Sequence, residues 1–183
     1  KRTKYKILSI DNYSSGNKKN HIKNSRVKYI KDETLNIKVI LNNKKNNIKA
    51  IFHFGEFSRI FQSFRKFDQC YQSNTVGSNA VFKFCLDNNI KLIYSATSAS
   101  LGNKGADKNL SPYAFTKSKN LEILENLKKW FNFKYEVIFF YNVYGPKQIC
   151  KGKMATVIGI FEDCSLKNKP LPVVRPGSHT RRF

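Results

Sequence analysis

Ser111-Pro112-Tyr113-Ala114-Phe115-Thr116-Lys117 opens the most regular stretch of the chain. A serine hydroxyl can cap a helix, and proline suits a first turn, where no N–H is required. Beyond it Leu121, Leu124, Leu127 and Phe131 recur at helical spacing, so the pattern predicts a helix over Pro112–Phe131. Tyr113 and Lys117 then share one face, one turn apart. A phenol ionises near pH ~10 in water. An ammonium beside it favours the phenolate, giving a base that works nearer neutrality. Tyr-x-x-x-Lys alone arises by chance in a chain rich in both residues, so its surroundings decide. Upstream, Ile90-Lys91-Leu92-Ile93-Tyr94 reads as a buried strand that stops in the hydroxyl-rich turn Ser95-Ala96-Thr97-Ser98-Ala99-Ser100-Leu101-Gly102. A hydroxyl at a strand's carboxyl end, with a Tyr and a Lys nearby, suits moving a proton on and off an alcohol.

The same alternation continues on both sides. Tyr5-Lys6-Ile7-Leu8-Ser9-Ile10 reads as a strand ending in Asp11-Asn12-Tyr13-Ser14-Ser15-Gly16. Residues 26–31 give a second strand ending at Asp32, 35–41 a short helix, and 48–55 a third strand ending in His53-Phe54-Gly55, with Glu56 next. His53 reads as a packed strand-end histidine. The aromatic and basic stretch 57–67, with Arg59 and Arg65, reads as a mobile loop, and 68–89 as one long helix. Tyr135-Glu136-Val137-Ile138-Phe139-Phe140-Tyr141 is a further strand, running into Asn142-Val143-Tyr144-Gly145-Pro146; a loop and an amphipathic helix follow through Phe161. Strand, turn and helix in alternation predict an α/β fold, a doubly wound, mostly parallel sheet.

Bulk properties narrow the function classes. The chain has 183 residues, 40% of them hydrophobic, enough for a core. No apolar run approaches the ~18 residues of a membrane span, and Ile7 to Ile10 is too short for a signal peptide's apolar segment. The formal charge of +22 invites a nucleic-acid reading. The lysines are dispersed among asparagines, however, and no recognition helix, zinc-finger spacing or RNA-binding aromatic motif accompanies them. The charge therefore reads as a compositional bias that would help attract an anionic nucleotide. Cys70, Cys85, Cys150 and Cys164 have neither CxxC spacing nor a histidine at metal spacing, which predicts free thiols, no metal and a reducing cytoplasm. Cys85 falls on the predicted buried face of its helix.

On these residues the chain resembles the extended short-chain dehydrogenase/reductase family, in particular its nucleotide-sugar epimerases and dehydratases. Tyr113 and Lys117 match the family's Tyr-x-x-x-Lys, and Thr97, five residues before Gly102, matches its catalytic Ser/Thr; Leu101 departs from the usual Tyr. Asn142-Val143-Tyr144-Gly145-Pro146 matches the family's Asn-x-Tyr-Gly-Pro turn, with Phe139 in place of its Arg. Asn74-Thr75-Val76-Gly77-Ser78 resembles Asn-x-x-Gly-Thr, and a mid-helix Gly77 points to close packing. Thr180-Arg181-Arg182-Phe183 resembles a later Arg-containing segment.

The resemblance implies NAD as cofactor. Asp11, Asn12, Ser14 and Gly16 would serve the adenosine ribose, and Asp32 the adenine. Phe54, Gly55, Asn74, Lys117 and Tyr141 would line the rest of the cofactor, with Gly55 where the family carries a small residue and Glu56 an awkward charge near a pyrophosphate. A carboxylate at Asp11 favours NAD over NADP. Thr97, Tyr113, Asn142 and Lys151 would touch a nucleotide-sugar. No glycine precedes Gly16, so the expected chain is a Rossmann-like sheet lacking its first strand and glycine loop. It would comprise a partial NAD-binding domain over 1–146 and the beginning of a substrate domain over 147–183. Such a piece of a longer enzyme, homodimeric when complete, would bind cofactor weakly by itself.

The implied activity is epimerisation of UDP-glucose and UDP-galactose at C4, through hydride transfer to NAD and a keto-sugar. Ser98-Ala99 lacks the Asp-Glu that 4,6-dehydratases carry after their Thr. Two alternatives stand beside this reading. Lys151-Gly152-Lys153-Met154-Ala155 resembles the ADP-heptose 6-epimerases, where that lysine is a second acid/base. The other alternative, of a different class, is a basic binding domain without catalysis.

Overall fold

The computed structural model describes residues 4–98, 101–152, 155–178 and 180, with backbone only at 102–105. Ala99, Ser100, Lys153, Met154 and 181–183, which entered the expectations above, lie outside the described residues. The chain forms two compact units, Lys1–Phe139 and Phe140–Phe183. The Asn142–Pro146 turn therefore belongs to the second.

In the first unit, β1 (Ile7–Asp11) pairs with β2 (Val27–Lys31), parallel, from Ile7 opposite Val27 to Asp11 opposite Lys31. A three-stranded sheet runs in the order β3 (Ala50–His53), β4 (Lys91–Thr97), β5 (Tyr135–Phe140), with β3 and β4 parallel from Ala50 opposite Lys91 to His53 opposite Tyr94. β4 is central, and Leu92 through Thr97 are buried on both faces, the pattern of a strand covered by helices on either side. Helices α1 (Ile37–Leu41), α4 (Ser78–Asp87) and α5 (Pro112–Phe131) supply the covering side chains. Ile37, Leu41, Val81, Phe82, Phe84, Leu92, Tyr94, Leu124 and Phe133 form the core. Each such side chain contributes about 1.5–3 kcal/mol by leaving water. Cys85 is fully buried among them, and burial pushes its thiol up to about 12.

The helix read from Ser111 is present as expected. The Ser111 hydroxyl accepts from the Ala114 N–H at 3.0 Å, Pro112 takes the first turn, and the helix stops at Asn132 in the left-handed conformation. Two expectations need correction. The stretch 57–67 is not a loose loop: it contains α2 (Ile60–Arg65), with Gln62 and Ser63 buried, and the Phe57 N–H and C=O are both held by the Asn74 amide, at 2.7 and 3.1 Å. The long helix over 68–89 is interrupted. α3 (Phe67–Tyr71) passes through a π-helical turn, Gln72–Gly77, before α4. That widened turn carries Asn74 and Gly77. A Cβ at Gly77 would lie 2.3 Å from the Thr34 hydroxyl oxygen, so the glycine is there for close approach. No helix among the described residues is long and apolar enough to cross a membrane.

Candidate active site

The carboxyl ends of parallel strands are where open α/β sheets build their sites. In the first unit they carry Asp11 at the end of β1, Asp32 after β2, Gly55 and Glu56 after β3, and Ser95 and Thr97 on β4. Thr97 is buried, and its side chain is hydrogen-bonded to the Tyr113 hydroxyl on the first turn of α5. Ser63 of α2 fixes that turn by accepting from the Tyr113 N–H at 3.2 Å.

Burial raises the Tyr113 phenol above its ordinary value; the Thr97 hydrogen bond and the Arg59 guanidinium pull the other way, while Glu56 and Cys70 add to the rise. A hydrogen bond that favours phenolate is one that Thr97 donates. Lys117, one turn further along α5, has partners of its own. The Lys117 ammonium is paired with the Glu56 carboxylate and donates to the Ser95 carbonyl, with the Ser95 hydroxyl at 3.3 Å and the Tyr94 ring centre at 4.4 Å. Burial draws the Lys117 ammonium below its usual range and Glu56 opposes that.

Glu56 was expected to face a pyrophosphate. Its side chain instead turns inward and is 3% exposed. Its Oε1 accepts from the Ser78 hydroxyl at 2.7 Å, the Tyr94 hydroxyl at 3.0 Å and the Asn120 amide at 3.1 Å. Glu56, Ser78, Tyr94, Ser95 and Asn120 were missed from sequence. One signal was available: Asn120 continues the Tyr113/Lys117 face by a three-residue step, a polar stripe where an apolar one would be routine. His53 is the packed strand-end residue expected, buried against the Phe82 ring with Nε2 2.8 Å from the Ser78 hydroxyl.

The adenosine-side residues are laid out differently. Asp11 is exposed, its Oδ1 accepting from the Tyr13 N–H at 2.7 Å, and the Asn12 side chain accepts from the Ser14 N–H at 2.9 Å. A Cβ at Gly16 would come within 2.9 Å of Asp11 Oδ2, so the turn closes against the carboxylate. Asp32 accepts from the Glu33 N–H and the Asn36 amide, which hold its carboxyl below the usual range. Phe54 and Gly55 are exposed, and a Cβ at Gly55 would meet nothing nearer than Thr34 Cγ2 at 3.8 Å. These features fit NAD: an exposed acid at a strand end for its adenosine ribose, and Gly55 backbone that a ligand can approach. Asn74 does not fit the cofactor-lining role expected of it. It is fully buried, and its amide is spent on Phe57 and on Thr116, 3.2 Å away.

In the second unit, Tyr141 is exposed, Asn142 is half-buried and Lys151 is exposed beside Asp163 of α6 (Val157–Leu166), at 3.4 Å. Lys167 also pairs with Asp163 and holds its carboxyl below the usual range.

A family model described as the NAD dependent epimerase/dehydratase family matches residues 1–183. An ADP-L-glycero-D-manno-heptose-6-epimerase of Brachyspira hyodysenteriae is 29% identical over 163 residues, which are 82% of this chain and 51% of that protein. The chain thus spans about half the length of this curated relative. The UDP-glucose 4-epimerase of Thermotoga maritima, solved with UDP-glucose, superposes with a TM-score of 0.85 over 97% of this chain and 60% of its own; at 22% identity this likeness is one of fold. The UDP-N-acetylglucosamine 4-epimerase of Methanobrevibacter ruminantium, in complex with UDP-N-acetylmuramic acid, is 27% identical, with a TM-score of 0.79 over 92% of this chain and 57% of its own.

Proposed function

The chain belongs to the NAD dependent epimerase/dehydratase family, and from that premise we propose that the whole protein is a nucleotide-sugar epimerase acting on UDP-glucose and UDP-galactose. The observation that carries this reading is the Thr97–Tyr113 hydrogen bond at the carboxyl end of β4, one helical turn from Lys117. Tyr113, once ionised, takes the proton of the sugar hydroxyl, and later returns it. Thr97 donates to the phenolate and orients it, and Lys117 carries a charge beneath the site. NAD, when bound, supplies the acceptor and donor of hydride. Asp11 would hold its adenosine ribose, with Asn12, Ser14 and Gly16 shaping the turn and Asp32 on the adenine side. Gly55 would let the backbone approach it closely. Tyr141 and Asn142 would face nicotinamide and sugar. The carboxylate of Asp11 disfavours a 2′-phosphate, and so NADP.

A second reading, ADP-heptose 6-epimerisation, is favoured by the Brachyspira relative and by Lys151. The full-length protein, assayed on UDP-glucose and on the ADP-heptose, separates the two. Interconversion of the UDP-hexoses, unaffected by Lys151→Ala, is the expected result. Turnover of the ADP-heptose that Lys151→Ala abolishes would replace it. Turnover of neither, with salt-sensitive DNA binding that survives Tyr113→Phe, would point to the basic binding domain.

A further inference from the structure

An ammonium has three protons and one charge to place, and the Lys117 side chain must place them where only 5% of it is exposed. Glu56, the Ser95 carbonyl and the Ser95 hydroxyl take the three protons. Glu56 in turn accepts from Ser78, Tyr94 and Asn120 on one oxygen and from Lys117 on the other. Four donors converge on a group that only accepts when ionised, three of them crowded on one oxygen. The row has a direction. Ser78 Oγ lies 2.7 Å from Glu56 Oε1 and 3.5 Å from the Ser73 carbonyl oxygen, so its single proton goes to Glu56. The 2.8 Å contact between His53 Nε2 and Ser78 is then donated by His53, which places a proton on Nε2. Burial, aided by Lys117, keeps that imidazole from charging, against the pull of Glu56.

We infer that Glu56 is a positioning residue for Lys117: the row His53–Ser78–Glu56 fixes where the ammonium sits and how much of its charge reaches Tyr113. The inference rests on the reading of Tyr113 and Lys117 as the working pair. It explains an acid directly after Gly55. Turned inward, the carboxylate serves the lysine and leaves the exposed backbone of Phe54 and Gly55 uncharged. Beneath Tyr113 the Glu56–Lys117 pair is neutral as a unit. The charged or titratable groups around it are His53 from β3, Tyr94 from β4, Tyr113 on α5, Cys70 from α3 and Arg59 before α2.

The test follows the Lys117 ammonium directly, by NMR of the full-length protein labelled at lysine Cε and Nζ. In Glu56→Gln, with the fold checked by circular dichroism, the Lys117 pKa is expected to fall by roughly 1–3 pH units, the effect of removing an adjacent opposite charge. Glu56→Asp should restore part of it. An unchanged Lys117 pKa in folded Glu56→Gln overturns the inference. Should Glu56→Gln not fold, the unaltered protein decides. Its Lys117 ε-methylene protons are expected upfield, over the Tyr94 ring, and shifts typical of an exposed lysine would overturn the inference. Turnover lost in Tyr113→Phe with no response of Lys117 to Glu56→Gln rejects the role of Glu56 and keeps the epimerase. A response of Lys117, in a protein whose turnover survives Tyr113→Phe, keeps the pair and rejects the epimerase reading.

Discussion

Asp11 and Glu56 both lie at the carboxyl end of a strand of the first unit, yet one stands in water and the other inside the protein. The turn around Asp11 is built from its sequence neighbours: Tyr13 and Gly16 close on it, and Asn12 closes on Ser14. Glu56 is held by residues 22 to 64 positions away, from α4, β4 and α5. An exposed carboxylate with local partners is screened and replaceable. A buried one is tied to the fate of its counter-charge. The same acid chemistry therefore serves a solvent-exposed turn in one place and an internal scaffold in the other.

Stability measurements can break that comparison. Lys117→Met, which leaves Glu56 buried without its cation, should destabilise the full-length protein by about 3–5 kcal/mol in urea unfolding. Asp11→Asn should change it by no more than about 0.5 kcal/mol. Equal effects would erase the distinction between the two acids. Gly77→Ala tests the packing that sets the π-helical turn beside Glu56. The added methyl collides with the Thr34 hydroxyl, so a loss of about 1–3 kcal/mol is expected. Combination with Thr34→Ala should recover most of it.

The smallest expected effect is one of pH. Burial holds folded His53 below its ordinary 6.5, so on acidification the unfolded chain takes up the proton first. Its contribution to stability is complete above pH 6.5 and is lost as the pH falls toward the folded value. In His53→Gln, melting temperature followed from pH 7 downward should decline less steeply than in the unaltered protein. A parallel decline would show that His53 is not a neutral end of the buried row.

The elements that could be read from sequence are those whose signals are local. Ser111 and Pro112 announce α5, and the apolar run ending at Thr97 announces β4; both are found in place. Gly77 in mid-helix announced close packing, and Thr34 supplies it. The stretch 57–67 was misread because α2 has no side-chain cap at Arg59 and the Phe57 backbone before it is held by Asn74, a residue of another element. Asn74 was misassigned for the same reason, its amide being committed to that loop. Glu56 carried no motif at all. The clue lay in Lys117: a lysine on the buried face of α5 requires a carboxylate somewhere in the fold. Sequence shows the need and tertiary structure supplies the partner.

The most direct measurement is the turnover of Tyr113→Phe in the full-length protein, with UDP-glucose as substrate and bound NAD quantified in the same preparation. The account predicts kcat lower by about 10²- to 10⁴-fold, the usual weight of a general base, with NAD content unchanged because the contacts proposed for Asp11 and Gly55 are untouched. Turnover within a few-fold of the unaltered enzyme would contradict the assignment of Tyr113 as the base.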